Sequence, residues 1–306
     1  MPRGRRAALP VALLLALGAC TAEPGGAPEG TTSPPVTSSD GAPTAERVHV
    51  SLGDSYATGY RPADAGEPGG SSREGFAQLV ADEADLRLIN LACSGATSAQ
   101  LRGEPGCSPA NRAVDAPDPA GSTQLDAAVR VLREHEGRVG LVTVVIGGND
   151  LAPCAQSSDV ATCASQAVAA VRANLATVLP ALRDAAGDAP IVGLTYPDVF
   201  LGAWVSPSFP NGQDLARLSV SLFRDFFNSA LKAEYEKVGA TFVDVTAETG
   251  GYGPLTETTR DPAYGEIPTP VAKVCALTYF CSKTDVHPTV EGHRAIASAV
   301  LAVTGR

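Results

Sequence analysis

Five short apolar runs alternate along the chain with longer stretches of helical periodicity, and this alternation restricts the possible folds more than any other feature. The runs are Val48–Leu52, Leu86–Leu91, Val139–Ile146, Ile191–Thr195 and Thr241–Val245. Alternating strands and helices form a parallel sheet that is covered by helices on both faces, with right-handed crossovers. The sequence therefore predicts an α/β fold with three layers, α/β/α, around a central parallel sheet of about five strands.

The segments between the runs carry apolar residues every three or four positions, which is typical of amphipathic helices. The helical segments predicted in this way lie at about 125–132, 164–182, 215–231 and 289–303. The most regular apolar face consists of Leu215, Leu218, Leu222, Phe226, Ala230 and Leu231. We expect these faces to pack against the sheet and to have no role in chemistry.

The N-terminal residues have the pattern of an export signal. Arg3, Arg5 and Arg6 precede an apolar stretch that is too short to span a bilayer and ends at Cys20. We interpret residues 1–19 as a lipoprotein signal peptide and Cys20 as a lipidated residue. Ordinary secretion, with Cys20 as a spare thiol, is the alternative.

Residues 20–46 are rich in Pro, Gly, Ser, Thr and Ala and have no hydrophobic period. Such a composition cannot bury enough apolar surface to offset the entropy lost on ordering. It predicts a disordered tether, with a lid or a pro-segment as the alternative. Residues 47–306 are long enough for a single domain with a sizeable core, which we expect to be a monomer.

The charge balance argues against nucleic acid as a partner. The chain has 33 acidic and 23 basic side chains, with a net charge of −10, and the signal segment contains three of the arginines. Phosphate binding needs a cationic face, and attraction to anionic lipid headgroups needs basic clusters. We therefore expect contact with a membrane only through a lipid on Cys20.

Seven cysteines occur, and six of them fall into three close pairs along the chain. The exported context favours disulfide bonds over a metal site, and Cys-x-x-Cys is absent from the sequence. The predicted bonds are Cys93–Cys107, Cys154–Cys163 and Cys275–Cys281. We expect them to rigidify loops on one side of the sheet.

Four short polar blocks follow predicted strands or precede a predicted helix. They are Gly53-Asp54-Ser55-Tyr56, Asn90 to Thr97 with Ser94-Gly95-Ala96, Gly147-Gly148-Asn149-Asp150, and Asp285-Val286-His287-Pro288. Because open α/β sheets hold ligands at the carboxyl ends of their strands, we expect these blocks to meet. Together they offer a serine nucleophile, a histidine base, and glycine and asparagine N–H donors for an oxyanion.

These four blocks, in this order and spacing, resemble the SGNH (GDSL) hydrolase family of esterases and lipases, and the cysteine pairs resemble its secreted actinobacterial members. The resemblance implies a flavodoxin-like SGNH hydrolase fold and a small-molecule or lipid ester as substrate, with no metal or organic cofactor. It also implies Ser55 as the nucleophile and His287 as the general base. The oxyanion hole would consist of the N–H groups of Ser55 and Gly95 and the side-chain amide of Asn149.

One block departs from the family pattern, which places an aspartate three residues before the histidine. Here that position holds Thr284, and Asp285 lies two residues before His287. Two arrangements remain. Either a local turn brings Asp285 to His287 Nδ1, or a backbone carbonyl near Thr284 orients the imidazole. A carbonyl fixes the tautomer but stabilises the imidazolium less than a carboxylate does.

Long polar or Gly/Pro-rich stretches at about 60–73, 103–121 and 246–284 are expected to carry function or disorder. The third contains the apolar stretch Ala276 to Phe280, which either lines an acyl pocket or packs around the disulfide of Cys275 and Cys281.

Three functions remain open at this point. The first is a serine esterase or lipase acting on carboxylic esters. The second is an acetyl-esterase or O-acyltransferase of cell-wall glycans, which would pass the same acyl group to a sugar. The third is a surface lipoprotein that binds a ligand without catalysis.

Overall fold

A computed structural model describes residues 46–64, 66, 68–119 and 121–305 of the chain. The predicted signal peptide, Cys20 and the predicted tether up to residue 45 lie outside the described residues. Among the described helices, none is long and apolar enough to cross a bilayer.

The centre of the fold is a five-stranded parallel sheet with the strand order β2-β1-β3-β4-β5. Its strands are β1 (Val48–Gly53), β2 (Arg87–Asn90), β3 (Val139–Val145), β4 (Ile191–Leu194) and β5 (Thr241–Val243). This is the flavodoxin-like order, with the topological switch point between β1 and β3. The predicted fold class is confirmed, and each strand lies within one or two residues of a predicted run.

Helices cover both faces of the sheet, as the alternation of elements requires. The helices, in chain order, are α1 (Ser55–Thr58), α2 (Phe76–Glu83), α3 (Ser98–Arg102), α4 (Gln124–Glu134), α5 (Gly148–Leu151), α6 (Val160–Ala186), α7 (Gly212–Ser221), α8 (Asn228–Glu236), α9 (Val245–Glu248), α10 (Thr269–Leu277), α11 (Phe280–Lys283) and α12 (Val290–Thr304). One layer contains α4, α6 and α8, and the other contains α2 and α12. The strands β1 and β3 are buried along their whole length between these layers.

The predicted apolar face of the segment 215–231 is wrong at Leu218 and Phe226 and right at Leu231, which is fully buried. Leu218 is 62% exposed and Phe226 is 37% exposed, whereas the next row, which includes Phe223 and Phe227, is buried. The reason is a π-helical segment, Leu222–Phe227, between α7 and α8. Two apolar rows one residue apart share the same spacing, so periodicity alone cannot choose between them.

The third long stretch is structured, contrary to its reading as a loop. Residues 246–284 contain most of α9, an antiparallel hairpin of β6 (Thr258–Asp261) and β7 (Gly265–Pro268), then α10 and α11. Phe280 is buried in an apolar cluster with Val199 and Ala203. This stretch therefore packs locally around its disulfide and does not line the pocket at Ser55.

All three predicted cysteine pairs are joined in the structure. Each disulfide adjoins one of the polar blocks. Cys93 directly precedes Ser94-Gly95, Cys154 lies one turn beyond Asn149, and Cys281 lies in α11 shortly before His287. The bonds therefore hold the loops that carry the candidate site.

Candidate active site

The first block forms a sharp turn from β1 into the single-turn helix α1, and the turn requires a glycine. Gly53 has φ of 132°, and a Cβ at this position would overlap the carbonyl oxygen of Val145 on the adjacent strand. Asp54 then caps α1 by accepting a hydrogen bond from the Tyr56 backbone N–H at 3.0 Å. Ser55 is the first residue of α1 and is 8% exposed. Its side chain therefore lies at the carboxyl edge of the sheet, where the spacing of the blocks places the site.

Gln124, at the start of α4, holds this turn from behind. Its side-chain oxygen accepts a hydrogen bond from the Gly53 N–H, and its side-chain nitrogen donates to the Gly53 carbonyl, each at 3.0 Å. Both groups belong to a residue that is 8% exposed, so the pairing satisfies polar atoms that water cannot reach. No sequence pattern indicates this role, because Gln124 and Gly53 meet only in the folded chain.

In the fourth block, the aspartate lies one residue closer to the histidine than in the family pattern, and a left-handed turn compensates for this difference. Thr284 ends α11 with φ of 53°, after which the Asp285 side chain turns back over the following residues. Asp285 Oδ1 lies 2.7 Å from His287 Nδ1 and also accepts from the His287 backbone N–H at 2.9 Å. Of the two sequence-based arrangements, the structure thus has the carboxylate and not a Thr284 carbonyl beside the imidazole.

The pKa of Asp285 lies below its ordinary value. Partial burial works to raise the pKa of this carboxyl, but the hydrogen bonds from the His287 ring and backbone outweigh burial. Asp285 is therefore ionised at neutral pH and presents a full negative charge to the imidazole.

Two tyrosines hold the loop that carries His287 against the turn that carries Ser55. The Tyr56 hydroxyl donates to the Val286 carbonyl at 2.5 Å, joining residues that are 230 positions apart in the chain. The Tyr60 ring lies 4.3 Å from the imidazole of His287, centroid to centroid, and is tilted by 41°. The residue after Ser55 thus anchors the residue before His287.

The second and third blocks meet beside the same turn. Gly95 has φ of 82°, and no other described atom lies within 4 Å of the position where its Cβ would be. The Asn149 amide donates one hydrogen to the Ala96 carbonyl at 3.0 Å, which fixes the plane of the amide next to Gly95. An amide has two N–H bonds, so the second is available to a substrate oxygen.

Asp150 joins these two blocks. Its carboxylate accepts from the Ser98 backbone N–H at 2.9 Å and from the Ser98 hydroxyl at 2.6 Å. Asn174 on α6 donates in turn to the Ser98 hydroxyl at 2.8 Å. Asp150 therefore fixes α3 relative to α5.

Asp54 is buried beneath the site and pairs with a residue that follows β4. The hydroxyl of Tyr196 donates to Asp54 Oδ2 at 2.6 Å and accepts from the Gly148 N–H at 3.0 Å. Burial raises the pKa of Asp54 to about 6, although the hydrogen bonds from Tyr196 and Tyr56 oppose the shift. At 1% exposure, Asp54 connects the first and third blocks from beneath the site.

The other three histidines lie apart from this chemistry. His49 is buried in β1 and bonds to Thr143, and His135 ends α4. His293 is 3% exposed and accepts from the Phe76 N–H at the start of α2. Burial lowers the pKa of His293 to about 4, so it is neutral and structural at ordinary pH.

An apolar pocket of about 110 Å³ opens beside Ser55 and Asn149. Its walls come mainly from α1, the α5 region, the segment after β4 and the π-helical segment. The lining residues are Asp54, Ser55, Tyr56, Gly148, Asn149, Leu151, Ala152, Tyr196, Pro197, Val199, Phe200, Phe223, Phe227 and Val286. A larger cavity of about 360 Å³ lies under the loop 103–123, next to the Cys93–Cys107 disulfide, and has none of the proposed catalytic side chains in its lining.

Sequence comparison identifies the family to which this arrangement belongs. Residues 51–295 match the GDSL-like lipase/acylhydrolase family, and this range contains all four blocks. The chain belongs to the GDSL-like lipase/acylhydrolase family. It is therefore a member of a family of ester hydrolases. A comparison with curated proteins gave no match.

Solved structures of similar proteins agree with the fold of this GDSL-like protein. The extracellular lipase from Streptomyces rimosus has 20% sequence identity and a TM-score of 0.52, over 84% of this chain and 99% of the lipase. Phospholipase A1 from Streptomyces albidoflavus NA297 has 18% identity and a TM-score of 0.53, over 84% of this chain and 99% of the phospholipase. At these identities the likeness establishes the fold alone.

The structure adds residues that sequence reasoning missed in this GDSL-like site. Tyr196 is the second residue after the end of β4, so the rule that places sites at strand ends was a usable signal for it. Tyr60 and Gln124 gave no such signal, because stacking on His287 and the bond to Gly53 depend on the folded chain.

Proposed function

We propose that this protein is a serine esterase that hydrolyses carboxylic esters through an acyl-enzyme at Ser55. The observation that carries the proposal is the 2.7 Å contact between Asp285 Oδ1 and His287 Nδ1. A carboxylate at Nδ1 keeps that nitrogen protonated, so Nε2 is the nitrogen that can accept a proton. The Tyr56–Val286 hydrogen bond supports the placement of this imidazole at the Ser55 turn.

In the first half-reaction, Ser55 Oγ attacks the ester carbonyl carbon while His287 Nε2 accepts the hydroxyl proton. The tetrahedral intermediate collapses as the bond to the alcohol oxygen breaks, and His287 returns the proton to that oxygen. The alcohol leaves and the acyl group remains on Ser55. Asp285 stabilises the imidazolium that exists between the two proton transfers.

In the second half-reaction, water takes the place of the alcohol. His287 Nε2 accepts a proton from the water as its oxygen attacks the acyl carbon. Collapse of the second tetrahedral intermediate breaks the bond to Ser55 Oγ, which regains the proton from His287. The products are a carboxylic acid and the free serine.

The developing oxyanion is bound by the N–H groups of Ser55 and Gly95 and by the Asn149 amide. Loss of one such donor typically lowers kcat by about 10²–10³-fold. The Asn149 hydrogen bond to Ala96 supports this role, because it restricts the amide before a substrate arrives.

The size of the pocket favours one version of this function. A volume of about 110 Å³ suits a short acyl group better than a long lipid chain. An acetyl-esterase, or an O-acyltransferase that passes the acyl group to a glycan hydroxyl, is therefore the second candidate. Release of free acid in water, against transfer to an added sugar, separates the two.

Export and anchoring are a further part of the proposal. Three disulfides are usual in an oxidising compartment, and residues 1–20 have the pattern of a lipoprotein signal. Metabolic labelling with a fatty acid should mark the wild type and not Cys20→Ala. Equal labelling of the two would exclude Cys20 as the anchor.

The test of the catalytic proposal is a panel of p-nitrophenyl esters with purified variants. Ser55→Ala should lose turnover, and Asp285→Asn should lower kcat by roughly 10³–10⁴-fold, because the amide favours the wrong tautomer of His287. Asp214→Asn, an exposed substitution on α7, is the matched control and should retain full activity. Undiminished turnover in Ser55→Ala would refute the proposal, and near-full activity in Asp285→Asn would remove Asp285 from it.

A further inference from the structure

The apolar pocket beside Ser55 has one wall made by the π-helical segment Leu222–Phe227. Phe223 and Phe227 are the residues of this segment that line the pocket. Neighbouring Phe226 points elsewhere and is 37% exposed. A π-helical turn inside an α-helix is rare and occurs frequently at functional sites. Its position here suggests that it shapes the pocket.

The spacing of the buried residues explains why the helix is wound in this way. Phe223, Phe227, Leu231 and Tyr235 are all buried and follow one another at intervals of four. An α-helix has 3.6 residues per turn, so residues at intervals of four drift steadily around a regular helix. A π-helical turn contains more residues than an α-helical turn, so the segment reduces this rotation around the helix axis. Phe223 and Phe227 therefore both remain on the side that faces the pocket.

Phe223 is the centre of an aromatic group that closes the pocket. Its ring centroid lies 6.3 Å from that of Phe200 and 5.9 Å from that of Phe227, with edge-to-face geometry in both pairs. Such pairs are mutually stabilising, and a closely packed group of this kind resists displacement by a ligand. Phe223 is therefore held in this wall of the pocket by contacts with two other lining residues, Phe200 and Phe227.

The volume enclosed by this wall limits what enters. The pocket measures about 110 Å³. An apolar cavity of roughly 150 Å³ in another protein accommodates a benzene molecule, so the present pocket holds roughly two to four acyl carbons. We infer that Phe223 sets the acyl-chain length of this enzyme and restricts it to short-chain esters, from acetate to butyrate.

This inference rests on the proposed esterase function and adds the class of acyl group to it. Phe223 is a better point of control than Phe227. A side chain on Gly147 would meet Phe227 Cζ at 3.4 Å, so Phe227 also supports the backbone of the third block. Replacing Phe227 would disturb the donors at Asn149, whereas Phe223 contacts the pocket and the aromatic group.

The experiment compares kcat/KM for p-nitrophenyl acetate, butyrate, hexanoate and octanoate across four proteins. The wild type should prefer acetate or butyrate. Phe223→Ala should raise the octanoate-to-butyrate ratio by roughly tenfold or more, in line with the effect of a few methylenes in an apolar pocket. Phe226→Ala removes the same side chain from the same segment outside the pocket and should keep the wild-type profile.

The fourth protein makes the pocket smaller without touching the core. Ala152 lines the pocket and is exposed, so Ala152→Leu should fold normally. It should lower the butyrate-to-acetate and hexanoate-to-acetate ratios of kcat/KM by roughly tenfold relative to the wild type. This variant decides the matter if circular dichroism shows that Phe223→Ala is unfolded.

The outcomes separate this inference from the function on which it rests. Hydrolysis that persists in Ser55→Ala overturns the esterase proposal itself. Ser55-dependent hydrolysis that peaks at octanoate in the wild type overturns only the short-chain inference. So does an unchanged profile in both Phe223→Ala and Ala152→Leu.

A second series tests which side of the ester the pocket receives. Acetate esters of ethanol, butanol and hexanol vary the alcohol at constant acyl group, and Phe223→Ala should leave their relative rates unchanged. A shift in the alcohol series with an unchanged acyl series would overturn the assignment of Phe223 to the acyl group.

Discussion

At the scale of single residues, the position of Thr284 determines how Asp285 reaches the histidine. A β-branched residue with positive φ is uncommon and conformationally costly. The turn it makes lets an aspartate two positions before His287 contact Nδ1 at 2.7 Å. A reading of the sequence alone could not decide between carboxylate and carbonyl, because the choice depends on one backbone angle.

Tyr56 gives a prediction at this scale. Tyr56→Phe removes the hydrogen bond to the Val286 carbonyl and should lower the free energy of unfolding by about 1–2 kcal/mol. It should also reduce kcat, because the loop that carries His287 loses its attachment to the nucleophile turn. Urea denaturation and ester turnover measure the two effects.

The control is Tyr279→Phe, which removes a hydroxyl from a residue of the same loop whose backbone N–H bonds to the His287 carbonyl. It should change stability by less than about 0.5 kcal/mol. Equal kcat in wild type and Tyr56→Phe would show that the hydrogen bond to Val286 does not position the histidine.

At the scale of elements, Asp198 connects the segment after β4 to α7. Its carboxylate accepts from the Ser219 hydroxyl at 2.7 Å and from the Phe200 N–H at 3.2 Å. Burial raises the pKa of Asp198 to about 7, although these hydrogen bonds oppose the shift. The free energy of unfolding is highest below the pKa that Asp198 has in the unfolded chain, where the carboxyl is protonated in both states. It falls as the pH rises, because the unfolded chain ionises first, and the loss is complete once the pH has passed about 7.

The pH dependence follows from that sign. Between pH 5 and pH 8 the free energy of unfolding of the wild type should fall by about 2–3 kcal/mol. Asp198→Asn, which cannot ionise, should not show this decrease. Urea denaturation of both proteins at the two pH values measures the difference. If the difference in the free energy of unfolding between the variant and the wild type is the same at pH 5 and pH 8, Asp198 does not titrate in this range.

The elements also show how far the sequence predicts this fold. The five strands were recognisable because each is a short apolar run, and their ends identified Ser55, Gly95 and Asn149. The buried face of the helical segment from Gly212 to Glu236 was not recognisable, because two rows of apolar residues have the same spacing. Tertiary packing, with the π-helical segment, determines which row is buried. The hairpin of β6 and β7 was missed because its strands are short and mostly polar and have no alternating apolar pattern.

At the scale of the whole molecule, the parallel sheet brings distant parts of the chain to one edge. β1, β2 and β3 are neighbours in the sheet, so the first three blocks meet at their carboxyl ends. The fourth block comes from the opposite end of the sequence and is held there by the hydrogen bond from Tyr56 to Val286. The side chain of Gln124, which supports this edge, is assigned only by the folded structure.

Covalent trapping shows directly whether Ser55 forms the acyl intermediate. A p-nitrophenyl alkylphosphonate with a short alkyl chain resembles the tetrahedral intermediate and transfers its phosphonyl group to an activated serine. Intact-mass and peptide mass spectrometry of the wild type should show one adduct, on Ser55, with stoichiometric release of p-nitrophenol and loss of esterase activity. Ser55→Ala should form none. An enzyme that keeps hydrolysing esters without an adduct on Ser55, or that carries the adduct on another residue, would contradict the account.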